Sequence, residues 1–468
     1  MSDIKFGTDG WRAIIAKEFT VDNVARVAQA TATWMQEKFE QPSILIGHDC
    51  RFGGELFAET VAKVMVHNNI KVFLADGYVS TPMISLGNVL LHTNAGVVIT
   101  ASHNPPAYNG YKLKGAYGGP LLPEEIAVVE TYLPEKNEID LDQILINEMI
   151  EDAKVEIVDL DGMYQNQVEQ NFDLDAIRDS GIGLSYDAMY GAGQSIVKTL
   201  LPDITFLHCD HNPTFRGIAP EPILKNLEEF AGLIKSSDHI TSGLATDGDA
   251  DRLGMFDGDG NFIDSHHIIL LLIHYLCKYK GMKGKVCTAF STTVKIKSIC
   301  NHYKLPLEVV PIGFKHICEI MIKEDVLIGG EESGGIAIKG HIPERDGIWI
   351  GLTIWEFLAK SGKTISELIQ EVYEIVGPFA FERSDLHLRE DQKVEIVQTC
   401  KQGGYHSFGD YQVTKTDDMD GYKYYFSDNE WFMIRASGTE PVLRTYAEAA
   451  TKEEALAILK AGYNTLLG

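Results

Sequence analysis

The first two-thirds of the chain alternates short contiguous apolar runs with segments whose apolar positions recur every three to four residues, which predicts alternating strands and helices. This pattern comes round three times. In the first round a strand at Ile44–Gly47 is followed by a helix around Leu56–Val66, a strand at Lys71–Leu74 and an apolar run at Gly96–Ile99. The second runs from a strand at Gly181–Tyr186 through a helix at Gln194–Leu201 and a strand at Ile204–Leu207 to the loop carrying Asp247. The third runs from Lys285–Ala289 through a helix at Val294–His302 and a strand at Leu307–Val310 to Ile328 and the loop Gly329–Gly335. Each round ends in a strand followed by a polar loop of small residues. Ligands bind beyond the carboxyl ends of strands in open α/β sheets, so three such loops can face one cleft if the units pack side by side.

From about Ala380 the texture changes to strands separated by turn residues, at Tyr411–Thr414, Tyr422–Phe426, Trp431–Arg435 and Val442–Ala447, closed by an amphipathic helix at Lys452–Leu467. Gly377 and Pro378 mark the joint. At roughly 150 residues per domain, 468 residues predict three or four domains. The division read from the pattern is 1–150, 151–256, 257–376 and 377–468. The expected fold is α/β, with three similar α/β domains of mixed sheets and a smaller α+β C-terminal domain around a central cleft.

Composition is that of an ordinary globular enzyme, with 45% apolar and 23% charged residues. A net charge of -26 leaves no broad basic surface for nucleic acid or an anionic membrane, so neither partner is expected. An anionic small ligand would need cations clustered in particular loops. The seven cysteines are scattered without a Cys-x-x-Cys pair, which predicts a reducing compartment. Met1–Gly10 lacks a basic region leading into an apolar one, and the longest apolar stretch, Ile268–Cys277, is too short to span a bilayer; a cytoplasmic protein is expected.

The candidate chemistry begins with Ser102, in Thr100 Ala101 Ser102 His103 Asn104 Pro105. A turn or a helix N-cap would also account for this serine. Ala101 and His103 exclude a Gly-x-Ser-x-Gly nucleophile elbow. Lys112, in the neighbouring Asn109 Gly110 Tyr111 Lys112, can serve as acid or base if its surroundings lower its pKa, and is otherwise a solvated surface charge. Asp247, Asp249 and Asp251 stand at alternate positions beside Arg252. An EF-hand would place glycine and glutamate where Arg252 and Gly258 stand, so that reading fails. An acidic turn remains open, but three carboxylates within five residues repel one another by about several tenths of a kcal/mol per pair without a cation. Magnesium suits them best, with a phosphate oxygen as a further ligand.

Asp257 Gly258 Asp259 Gly260 reads as a hairpin turn. Glu331, Glu332 and Ser333, set between glycines, offer acceptors and a hydroxyl to sugar hydroxyls. Arg435, Ser437, Thr439 and Arg444 around Gly438 suit a phosphate cradle, although a plain hairpin loop fits as well. His208, Cys209, Asp210 and His211 are too close in sequence to converge on a metal, and His266 and His267 are expected to be structural.

Taken together, these motifs resemble the α-D-phosphohexomutase family, in its phosphoglucomutase/phosphomannomutase branch. The likeness covers essentially the whole chain and includes Phe6 Gly7 Thr8 Asp9 Gly10 Trp11 Arg12, the Ser102 loop, Asp247–Arg252, Gly330–Gly335 and Arg435–Pro441, in the family's order. The resemblance implies that Ser102 is a phosphoserine and, with Asp247, Asp249 and Asp251, a ligand of one magnesium ion per chain. It makes Lys112 the general acid/base and places Arg12, His103, Arg252 and Lys315 near the phosphates. Glu331 and Ser333 would contact sugar hydroxyls, and Arg435, Ser437, Gly438, Thr439 and Arg444 would hold the phosphate that is not being transferred. The implied reaction interconverts hexose 1-phosphate and hexose 6-phosphate, for glucose or mannose, through a hexose 1,6-bisphosphate that also serves as activator. A phosphoglucosamine mutase, a phosphatase and an inactive phosphosugar-binding regulator are the alternatives. Glu332 stands where the glucosamine branch usually has glutamine, which leans towards neutral hexoses. Some dual-specificity members end the sugar loop in histidine; here it is Gly335, which leaves sugar preference open. The sequence does not specify an oligomeric state.

Overall fold

The computed structural model describes residues 4–7, 9–436 and 442–468. Its first sheet runs, in spatial order, through Trp11–Ile14, Tyr108–Gly115, Ala95–Ile99, Ser43–His48, Lys71–Tyr78 and Val155–Val158. Ser43–His48 lies parallel to both Lys71–Tyr78 and Ala95–Ile99, while Tyr108–Gly115 returns antiparallel to Ala95–Ile99. The second sheet repeats this arrangement with Leu253–Asp257, Ser242–Thr246, Leu184–Asp187 and Thr205–Leu207, and the third with Ile336–Ile338, Val326–Gly330, Lys285–Ala289 and Leu307–Val310. In each, three parallel strands are followed by one antiparallel strand. The three polar loops are therefore the turns of three equivalent hairpins.

The packing crosses the units of the sequence division in two places. Val155–Val158 pairs in parallel with Lys71–Tyr78, so the first unit extends past 150. Helix Gly347–Ser361 follows the third sheet in the chain and packs against strands Ser242–Thr246 and Leu253–Asp257 of the second as well as Ile336–Ile338 of the third. Every residue from Gly347 to Leu358 is buried, and a helix that is apolar on all sides has to be enclosed by more than one neighbour. The second and third units accordingly share one continuous core.

The last unit is an antiparallel sheet, Ala380–His387, Val442–Ala449, Trp431–Ala436, Tyr422–Tyr425 and Lys415–Asp417, with its own core against helix Lys452–Leu467. The strand expected at Tyr411–Thr414 is only Tyr411–Gln412, paired with Ser407–Phe408 in a separate small hairpin. Phe290, Trp431, Met433 and Tyr446 form an apolar contact between the third and fourth units. All seven cysteines are buried and unpaired. Among the described residues, no helix is long and apolar enough to cross a membrane, and the run Ile268–Cys277 is buried in the core.

Candidate active site

Ser102 occupies the turn between Ala95–Ile99 and Tyr108–Gly115, fully buried, with a left-handed backbone at φ 51°. It is a hairpin residue, not a helix cap. A non-glycine residue in this region is strained and persists only where its surroundings impose the conformation, as they do here. Its N–H donates to Thr100 Oγ1 at 2.9 Å, and Thr100 Oγ1 donates to Asp49 Oδ2 at 2.5 Å. The Arg51 guanidinium donates to the carbonyls of Ser102 and Asn104, both at 2.6 Å, and of Pro105 and Tyr108, both at 3.0 Å. Asp49 and Arg51 thus clamp the serine loop from the end of the neighbouring strand.

The second hairpin meets the first directly. Ser102 Oγ donates to Asp247 Oδ2 at 2.7 Å, and a Cβ on Gly248 would lie 2.5 Å from the Ser102 carbonyl oxygen, so only glycine permits this approach of the two backbones. Thr81, opening helix Thr81–Leu90 of the first unit, donates its N–H to the Asp249 carbonyl at 3.0 Å and its hydroxyl to Asp249 Oδ2 at 2.6 Å. Lys112 Nζ, on the strand leaving the Ser102 turn, reaches Asp249 Oδ2 at 2.8 Å, Asp251 Oδ2 at 3.1 Å and Asp9 Oδ2 at 2.8 Å. Lys112 is not a solvated surface charge: it is completely buried, and although burial opposes its charge, Asp249, Asp251 and Asp9 hold its pKa above the ordinary value.

Asp247, Asp249 and Asp251 are fully buried and bring one carboxylate oxygen each to within 4.8 Å of one another. Burial, followed by repulsion from Asp249 and Asp251, pushes the Asp247 carboxyl well above the usual range. Asp249 is held below it, because Lys112 and Thr81 outweigh the cost of its burial. Asp249 Oδ1 and Asp251 Oδ1 are buried without a hydrogen-bond partner among the described residues. Unpartnered buried carboxylate oxygens converging on one point are what a hard divalent cation requires, and the three aspartates can hold a metal ion.

His103 Nδ1 lies 3.2 Å from Ser102 Oγ. Burial, together with Arg252, Arg12, Lys112 and Arg51, lowers its pKa well below the ordinary value, so the ring is neutral at pH 7. Arg12 donates to Asn104 Oδ1 at 2.6 Å. Arg252 Nε is buried without a hydrogen-bond partner.

In the third hairpin Glu331 is buried and accepts from the Gly313 N–H at 3.0 Å; burial pushes its carboxyl up to about 7 against the pull of Arg345 and Arg252. Ser333 is half-buried beside it. Glu332 Oε2 accepts from Ser291 Oγ at 3.0 Å and its Oε1 lies 4.0 Å from Arg383 of the fourth unit. Lys315 lines a cavity of about 170 Å³ with Phe6, Gly7, Asp9, Gly10 and Glu130.

Arg435 and Arg444 face each other across paired strands, and Arg435 is held by Asp420 at 3.1 and 3.3 Å. Arg444 Nε is buried without a hydrogen-bond partner among the described residues. Ser437, Gly438 and Thr439 lie outside the described residues, as does Thr8. His208 pairs with Asp187 and Glu229, while His211 stacks on Tyr78, so these histidines do not converge on a metal. His266 Nδ1 accepts the Thr293 N–H, and His267 joins Asp264 and Tyr373.

The structure adds Asp49, Arg51, Thr81 and Arg345, which no local motif announces. Asp9 belongs to the Phe6–Arg12 motif, but only the fold gives it a role, as a partner of Lys112 and Arg345.

Comparison with known proteins gives four consecutive matches to models of phosphoglucomutase/phosphomannomutase: alpha/beta/alpha domain I at residues 3–140, domain II at 162–260, domain III at 264–376 and the C-terminal domain at 389–462. A phosphoglucomutase/phosphomannomutase of Thermococcus kodakarensis is 29% identical, over 98% of both chains. A phosphoglucosamine/phosphogalactosamine mutase of Sulfurisphaera tokodaii is 28% identical, over 95% of both. The crystal structure of a candidate phosphomannomutase from Thermus thermophilus superposes with a TM-score of 0.87 at 31% identity, over 100% of both chains.

Proposed function

The chain belongs to the phosphoglucomutase/phosphomannomutase family of α-D-phosphohexomutases, and from that premise we propose that it interconverts hexose 1-phosphate and hexose 6-phosphate, with Ser102 as the phosphoryl carrier and glucose or mannose as the sugar. One observation carries this reading: Ser102 Oγ stands 2.7 Å from Asp247, beside Asp249 and Asp251, each of which keeps a buried oxygen without a hydrogen-bond partner among the described residues.

Phosphoserine 102 gives its phosphoryl group to the free sugar hydroxyl. The hydroxyl oxygen forms the new P–O bond, the bond to Ser102 Oγ breaks, and the proton lost by the sugar balances the one regained at Oγ. The hexose 1,6-bisphosphate then turns round and returns its other phosphate to Ser102. A magnesium ion held by Asp247, Asp249, Asp251 and the phosphate on Ser102 would neutralise charge on the group in flight, the dominant requirement of phosphoryl transfer. Lys112, buried at the same point, is the proton carrier in this reading. Arg12, His103, Arg252 and Lys315 bind the phosphates. Glu331 and Ser333 accept the sugar in either orientation, while Arg435 and Arg444, with Ser437, Gly438 and Thr439, hold the idle phosphate. Closure of the fourth unit keeps water from hydrolysing the phosphoserine.

Relatives named phosphoglucosamine mutase, such as that of Halalkalibacterium halodurans at 27% identity, support a second reading in which the sugar carries an amine. The first is favoured by Glu332, which stands where the glucosamine branch usually has glutamine. Relative kcat/KM on glucose, mannose and glucosamine 1-phosphates decides between them, with the neutral sugars expected to be faster.

Intact mass tests the carrier. Incubation with glucose 1,6-bisphosphate should add one phosphoryl group that Ser102→Ala lacks, and a protein that never carries this group contradicts the proposal. Asp249→Asn should lower kcat by roughly a hundredfold or more while leaving the fold intact.

A further inference from the structure

Arg345 enters the cleft from the segment joining strand Ile336–Ile338 to helix Gly347–Ser361, and its course is fixed at both ends. At the near end Glu344 Oε1 accepts from the Arg345 N–H at 3.1 Å and from its Nε at 3.2 Å. At the far end Nη2 meets Asp9 Oδ2 at 2.7 Å and Asp251 Oδ2 at 2.9 Å. Glu344 is itself anchored from the first unit: Lys114 Nζ lies 2.5 Å from its Oε2, and Ser85 Oγ lies 3.4 Å from the same oxygen. Lys114 and Glu344 are completely buried and Arg345 nearly so.

Resting on the reading of the acidic loop as a magnesium site, we propose that the Lys114–Glu344 pair is a positioning device: it orients Arg345, and Arg345 orients the Asp251 carboxylate towards the cation. The two oxygens of Asp251 are used differently. Its Oδ2 is engaged by both Arg345 and Lys112, while its buried Oδ1 has no hydrogen-bond partner among the described residues and only a long ion pair, 3.8 Å, with Arg252 Nε. A carboxylate pinned through one oxygen presents the other in a fixed direction, and groups that orient metal ligands in this way typically contribute tenfold or more to affinity. An arginine attached only through Nη2 could pivot about that bond. Clamping Nε as well fixes the plane of the guanidinium, and Glu344 does this. Gly335 completes the channel, since a Cβ there would stand 2.5 Å from Arg345 Cδ. The relay crosses from the first unit, through the third, to a ligand on the second, so it ties the metal site to the packing of all three.

Magnesium binding to the full-length protein, measured by titration calorimetry, tests the relay. Lys114→Met/Glu344→Met removes the pair without leaving either charge buried alone. It and Arg345→Met are each expected to bind magnesium about tenfold more weakly. The triple variant should bind no more weakly than Arg345→Met alone, because the pair acts through that arginine. The KM for hexose 1-phosphate should stay within about twofold in the paired variant. Wild-type magnesium affinity in the paired variant, or losses that multiply in the triple, would overturn the relay. Should the paired variant not fold, Glu344→Gln decides the matter: an affinity at least threefold weaker is expected, and an unchanged one contradicts the relay. A wild-type protein that binds no magnesium would instead overturn the metal reading itself.

Discussion

Glu331 shows how far burial alone can tune one residue. Its carboxyl is pushed up to about 7, so it is half charged at neutrality, and an acceptor of sugar hydroxyls works best fully charged. The expected result is that kcat/KM falls as pH drops through about 7 and that Glu331→Gln flattens this limb, as a pH–rate profile would show. The sign for stability is opposite. A carboxyl whose folded pKa is raised contributes stability that is complete below its ordinary value of 4.5 and is lost as pH rises through about 7. Wild type minus Glu331→Gln in thermal unfolding should therefore favour wild type most at the acid end. Gly335→Ala belongs to the same scale: the added Cβ displaces Arg345, and a roughly tenfold loss of kcat is expected from steady-state kinetics. Ser102 and the three aspartates were legible from the sequence because their chemistry is packed into a few consecutive positions. Asp9 and Arg345 were not, because 336 positions separate them and folding alone brings them together.

At the scale of elements the repeated unit is a hairpin, and the candidate site is built from its turns. Apolar runs such as Ile44–Gly47 revealed the parallel strands, which are buried on both faces. The antiparallel return strands were hidden for a physical reason. Tyr108–Gly115 carries Lys112 and Lys114, which read as exposed positions yet are buried because carboxylates from other units neutralise them. The Ser102 turn depends on neighbouring strand ends, so Thr100→Val should leave the Ser102 N–H unpaired and cost about 1–3 kcal/mol in denaturant unfolding. The same change should lower the rate of phosphoryl transfer, because it frees the backbone that aims Oγ. A variant with normal stability and normal rate would show that the turn holds without it.

The whole molecule carries a net charge of -26 yet gathers cations where the three hairpins meet. Arg12, Arg51, Lys112, Arg252 and Arg345 achieve this locally, several of them paired with buried carboxylates that hold them in place. The fourth unit is tied in through Asp420, which holds Arg435 and also accepts the Ile312 N–H at 2.8 Å. Asp420→Ala releases both, and the KM for hexose phosphate should rise about tenfold with a smaller change in kcat. This tie between units was invisible in the sequence, where Asp420 is one acidic residue in a run of turn positions. One phosphoryl group is expected to travel by way of Ser102 to a sugar. Rapid-quench tracking of radiolabelled phosphate on Ser102, mixed with unlabelled hexose 1-phosphate, tests it most directly. The label should appear in hexose bisphosphate within a single turnover; label that stays on Ser102, or emerges as inorganic phosphate, would contradict transfer from Ser102 to the sugar.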